Sequence, residues 1–332
     1  MRGWLTATVL AAAIALPAAQ SRDVTLWVTL GDADQLVEVD AFTFKEIRRI
    51  TVDPRPHGLA ASADGSKIYL ASDRTGNFQV VDARSGRVAA QLHVGNDPNQ
   101  MTLTKDGRFA YLPMRGEDSV AIIELDPLRL VKKIPMDKGP HDAYTGAGGR
   151  RIYVGAQFGR SMAVFDPDSH SLAYQIDLGD GVRPMEPSAD GKLVYAAVSG
   201  LLGFVVVDPW SRTVMRRVEL GTLPEGVPEP YLRTWTHALE LVKTDEELWV
   251  TDCINDLIRV VRTNDFKEIA QIRVGHFPHW FTQRPDGEVI FVSLHLSDAV
   301  AAIDVRSRKV LANIHFPRAS GPKRIGIAAK VR

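Results

Sequence analysis

Apolar and polar residues alternate in short, evenly punctuated runs, and residues 56–97 show the unit. Residues 58–62 are a short apolar run. Ala63-Asp64-Gly65-Ser66 follows as a turn, because Asp-Gly suits the positive φ of a tight hairpin. Residues 67–72 form a second run, and residues 73–77 are polar and contain a glycine. A third run, 78–82, centres on Val80 and Val81, and after a turn at 83–86 residues 87–94 alternate. The pattern predicts four strands joined by tight turns.

The unit recurs. An aromatic residue holds the same place in the second strand at Trp27, Tyr69, Tyr111, Tyr153, Tyr195, Trp249 and Phe291. Five of the steps are 42 residues and the step from Tyr195 to Trp249 is 54. Asp106-Gly107, Gly148-Gly149, Asp190-Gly191 and Asp286-Gly287 repeat the first turn; Asp126-Pro127, Asp166-Pro167 and Asp208-Pro209 repeat the second. A strand repeat of this period predicts an all-β, seven-bladed β-propeller with four strands per blade. Residues 24–29 look like a second strand with no first strand before it, and residues 321–329 like a first strand with no second after it. The C-terminal strand is therefore expected to complete the N-terminal blade as a velcro closure, leaving no long exposed sheet edge.

The cores Tyr153-Val154-Gly155, Trp249-Val250-Thr251 and Phe291-Val292-Ser293, with Asp-Gly turns before and Val-Val-Asp strands after, resemble the YVTN-type β-propeller family. The resemblance covers nearly the whole chain beyond residue 20. It implies the propeller fold and a secreted or periplasmic bacterial protein. That family holds structural repeats, binding proteins and enzymes, so fold alone assigns no function. A more distant similarity is to the haem-binding propeller of dihaem nitrite reductases and to propeller-type lactonases.

The remaining composition narrows the class. Of 332 residues, 40 are Lys or Arg and 40 are Asp or Glu, so no basic excess points to nucleic acid. Arg2, the apolar run 4–16 and Pro17-Ala18-Ala19 read as a signal peptide over residues 1–20, with a retained anchor as the alternative. The propeller is then a single domain over 21–332, a monomer in the periplasm or secreted, with no membrane span once the leader is cleaved. Cys253 is the one cysteine, so there is no internal disulfide.

Superposing the repeats exposes candidate chemistry. Twelve residues before each aromatic stand His57, Asn99, His141, Arg183, His237 and His279, with Lys323 supplied by the closing strand. Four of the chain's nine histidines thus share one repeat position, at the start of the innermost strands that line the channel. Four residues after the aromatics stand Gly31, Asp73, Arg115, Gln157, Ser199, Cys253 and His295, in loops on the same face. The long insertion before His237 falls there too, and its prolines Pro224, Pro228 and Pro230 make it a stiff partial lid with Tyr231, Arg233 and Trp235 facing in.

Several readings of this mouth stay open. His57, His141, His237 and His279, with Cys253 and His295, are candidate ligands of copper, zinc or iron, since neutral imidazoles suit such ions. Asn99, Arg183, Lys323, Asp73, Arg115, Arg233 and Trp235 are candidate contacts for a small anionic ligand or cofactor, haem-like or quinone-like, because arginine suits carboxylate and phosphate. The chain has no Cys-x-x-Cys-His, so covalent haem is excluded. The protein would then be accessory to periplasmic redox or cofactor metabolism. A metal-dependent hydrolase of the lactonase kind, or an oxidoreductase, is the enzymatic alternative, with Glu186 and Glu240 near the channel wall. A platform for a periplasmic partner protein is the non-enzymatic one.

Overall fold

A computed structural model describes residues 24–223 and 235–330. The expected leader, 1–20, and the centre of the insertion, with Tyr231 and Arg233, lie outside the described residues.

Seven four-stranded antiparallel sheets follow one another along the chain. In blade two the strands are Pro56–Ala61, Lys67–Ser72, Asn77–Asp82 and Arg87–His93. Their boundaries follow the turn chemistry: Gly65 and Gly86 have φ of 66° and 71°, which glycine adopts without steric cost. The outermost strand is mostly exposed and the middle two are buried on both faces by neighbouring blades. The seven repeat aromatics are at most 3% exposed and form the packing between blades. Closure is as expected: Pro322–Ala329 pairs antiparallel with Val24–Leu30, in register from Val24 opposite Ala329 to Val28 opposite Ile325.

One irregularity recurs where it matters. The register of the innermost strand shifts between Pro56 and Gly58, Pro140 and Ala143, Val182 and Met185, and Pro278 and Trp280. Each shift brackets a ring residue: His57, His141, Arg183 or His279. A bulge re-aims a side chain that strict alternation would have committed to one sheet face. Here the three histidines reach the channel mouth, whereas Arg183 stays buried.

Candidate functional site

A cavity of about 440 Å³ opens at the mouth where the innermost strands begin. Its wall includes His57, His141, His237, His279, His295, Arg115, Asp73 and Lys323, all expected from the repeat. Asp32, Arg55, Phe277 and Leu296 complete it. These four were missed by sequence reasoning, although Arg55 and Phe277 stand two places before His57 and His279 and the repeat alignment could have shown them. Asn99, Arg183, Trp235 and Cys253 are buried beside the channel and are not in the cavity wall. The Cys253 thiol donates to the Pro278 carbonyl at 3.1 Å.

The imidazoles form an almost continuous aromatic surface. His237 and His279 have ring centroids 3.8 Å apart, and His279 stacks on His295 at 5.3 Å and 27°. Phe277 packs on the same group, 5.7 Å from His279. Burial, reinforced by Lys323 beside His57, by Arg183 beside His237 and by His237 beside His279, pulls these three rings well below the usual histidine range. They are therefore neutral at pH 7. The Nδ1 atoms of His57, His237, His279 and His295 meet no hydrogen-bond partner among the described residues.

His141 differs. Its Nδ1 donates to Asp142 Oδ2 at 2.7 Å, and both residues are buried. Arg324 donates to the other Asp142 oxygen and lays its guanidinium on the Trp280 ring, 3.1 Å from the centroid. Burial opposes the charge on Asp142, but Arg324 and His141 outweigh it and hold the carboxyl well below the usual range. A carboxylate only accepts hydrogen bonds. The proton thus sits on Nδ1 of His141 and the lone pair on Nε2. Burial brings the His141 pKa down to about 4 despite Asp142.

The charged half of the mouth is Arg55, Arg115 and Lys323. Arg115 grips Asp97 through two hydrogen bonds of 2.7 and 2.9 Å, and Arg55 pairs with Asp73 at 3.0 Å. Lys323 is half-buried, and among the described residues its ammonium has no ion pair. Burial lowers its pKa and the field of Asp73 partly restores it. Among the described residues no group of three or more His, Cys, Asp or Glu side chains is arranged to hold a metal ion. The guanidinium and ammonium groups also oppose a cation at the same place.

A second, small cavity of about 50 Å³ lies between Tyr144, Glu186, Glu240, Trp280 and Phe281. Burial, and for Glu186 the neighbouring Glu240, raises both carboxyls, Glu240 to about 7 and Glu186 well above its ordinary value. The two glutamates thus share this small cavity and do not line the mouth.

Fold and pocket together define a seven-bladed β-propeller whose channel mouth is a polar, aromatic cavity. The family model for YNCE-like beta-propellers matches residues 20–187, about half of the sequence, and the chain belongs to that family. No curated protein matches it. Among solved structures it is similar to hydrazine synthase of Kuenenia stuttgartiensis, with 16% identity, TM-score 0.75, and 85% of this chain and 92% of that chain covered. It is also similar to NirN, a dihydro-heme d1 dehydrogenase in complex with DHE, with 15% identity, TM-score 0.68, and 88% and 64% covered. A putative 6-phosphogluconolactonase of Bacteroides fragilis matches with 14% identity, TM-score 0.76, and 94% and 99% covered. At these identities the likeness is one of fold.

Among the described residues, no helix is long and apolar enough to cross a membrane.

Proposed function

We propose that the protein binds a small anionic organic molecule, a carboxylate or phosphate ester, at the channel mouth. The observation that carries this reading is Lys323: an ammonium in the wall of the cavity, half-buried, with no ion pair among the described residues. A charge drawn partly out of water, and offset only by the fields of Asp73 and Asp32 from beyond ion-pair distance, gains from an anion that meets it directly. Arg55 and Arg115 flank the same space, and their carboxylate partners fix the guanidinium planes without using every donor. The neutral imidazoles add acceptors and flat surface, and a cavity of about 440 Å³ suits a small molecule. That a dehydrogenase of similar fold is seen in complex with DHE supports small-molecule binding on such a propeller. The leader-like residues 1–20 support an exported protein.

The test is isothermal titration of wild type and Lys323→Gln with citrate, a tricarboxylate, a dicarboxylate and inorganic phosphate at pH 7. Saturable binding of at least one anion, weakened about tenfold or more by the substitution, is the expected result. No binding of any of them to wild type overturns the reading.

A further inference from the structure

The seven blades provide an internal comparison that bears on what kind of anion fits. Two places before the ring residue, five blades put a left-handed residue immediately before a proline: Arg55, Asp97, Gly139, Phe277 and Gly321, with φ of 54°, 52°, 63°, 57° and 54°. Glycine takes this conformation freely, and aspartate takes it more readily than most residues. A following proline makes it harder still by pushing its predecessor toward extended backbone. Blades four and one use Gly139 and Gly321, and blade three uses Asp97. Arg55 and Phe277 are the two side chains that the backbone at this position disfavours, and both line the cavity.

Left-handed phenylalanines elsewhere show what ordinarily offsets such strain. Phe44, at φ 60°, packs its ring on Phe291, 6.0 Å away. Phe266, at φ 59°, packs on Tyr195 and Phe204 at 6.5 and 6.2 Å. Both rings are part of the packing between strands. The ring contacts of Phe277 are instead with His237, His279 and His295, at 6.4, 5.7 and 6.3 Å, all of which line the cavity themselves. Its strain is held at the mouth of a pocket, and such strain clusters where ligands are clamped.

The mouth is therefore two-sided. Phe277, His279 and His295 present ring surface. Arg55, Arg115 and Lys323 present positive charge. We infer that Arg55 and Phe277 are ligand-contact residues that make the mouth selective for a planar, conjugated anion, an inference that rests on the anion-binding reading above. The anionic groups meet the two guanidinium groups and the ammonium while the flat face lies against Phe277 and the imidazole stack.

The experiment compares two probes of equal charge, benzene-1,3,5-tricarboxylate and propane-1,2,3-tricarboxylate, by titration calorimetry on wild type, Phe277→Gly, Arg55→Gly and, as a folding control, Phe44→Gly. Wild type is expected to favour the aromatic probe roughly threefold to tenfold. Phe277→Gly is expected to lose that preference and to melt no lower than wild type, because glycine relieves the backbone. Arg55→Gly is expected to weaken both probes without lowering the melting temperature, whereas Phe44→Gly melts lower and keeps the preference. Equal binding of the two probes to wild type overturns the planar specificity and leaves anion binding standing. Binding of neither removes both. A preference that survives in Phe277→Gly, with a melting temperature lowered as in Phe44→Gly, makes Phe277 a packing residue and overturns its assignment.

Discussion

His141 and Asp142 are neighbours in one strand, yet their side chains meet, with Nδ1 2.7 Å from Oδ2. Strict alternation would send them to opposite faces. The register shift between Pro140 and Ala143 lets both turn inward. Arg324, from the closing strand, then binds the free Asp142 oxygen, so blade four and blade one are joined across the channel. Breaking a buried pair by removing one partner leaves the other charge uncompensated, at a cost of about 3–5 kcal/mol. Asp142→Ala should lose stability of that order in urea unfolding. Arg324→Met alone should be equally harmful, and Asp142→Ala with Arg324→Met less harmful than the two singles added. Additive losses would show that the two groups do not act as a pair.

Stability should be bell-shaped in pH. His57, His237 and His279 have native pKa values well below the ordinary 6.5 through burial, and His141 sits at about 4. The unfolded chain binds protons at these sites that the fold refuses, so their contribution is whole above pH 6.5 and is lost as pH falls toward the native values. Glu240 acts in the opposite sense. Burial raises it from 4.5 to about 7, so the fold holds a proton that unfolding releases. Its contribution is whole below pH 4.5 and is lost as pH rises through about 7. Glu240→Gln should therefore flatten the alkaline limb of melting temperature against pH, by roughly 1–3 kcal/mol at pH 9, and leave the acid limb in place. An unchanged alkaline limb would remove Glu240 as its source.

The Cys253 thiol should be silent in the native protein. Burial pushes it up to about 12, and its hydrogen is given to the Pro278 carbonyl. A thiol reagent at pH 8 should label it only at the rate of unfolding, since the thiolate is the nucleophile. Labelling within minutes in native buffer, at the rate of a model thiol, would place the sulfur in an open site.

The fold was legible because it is written seven times. Tyr69, Tyr111 and Tyr153 announce the period, and Asp64-Gly65 and its counterparts mark the hairpins. Two thirds of the mouth was legible for the same reason: His57, His141, His237, His279 and Lys323 share one repeat position, Asp73, Arg115 and His295 share another, and all line one cavity. Asn99 and Arg183 share the first position too but are buried out of the cavity wall, because repeat position fixes where a backbone begins and not how a bulge turns the side chain. Asp142 and Arg324 went unnoticed because each follows a ring residue and, by alternation, belongs to the sheet face. Trp235, expected to face in from a lid, is instead buried, with its carbonyl accepting from the Cys253 amide at 3.1 Å.

The closing strand serves both the fold and the mouth. Residues Pro322–Ala329 complete the first blade and bring in Lys323 for the cavity wall and Arg324 for the Asp142 pair. Truncation after Ser320 would expose the edge of Val24–Leu30, a strand buried along almost its whole length, and unpaired edges of this kind associate. It would also leave Asp142 buried without Arg324. The truncated chain should lose its cooperative urea transition and aggregate. A synthetic peptide of residues 321–332 added during refolding should restore both the transition and anion binding, because pairing with the open edge rebuilds the blade. The same peptide carrying Lys323→Gln should restore the transition but not the binding. A truncated chain that unfolds cooperatively at the wild-type urea midpoint would show that the ring does not depend on this closure.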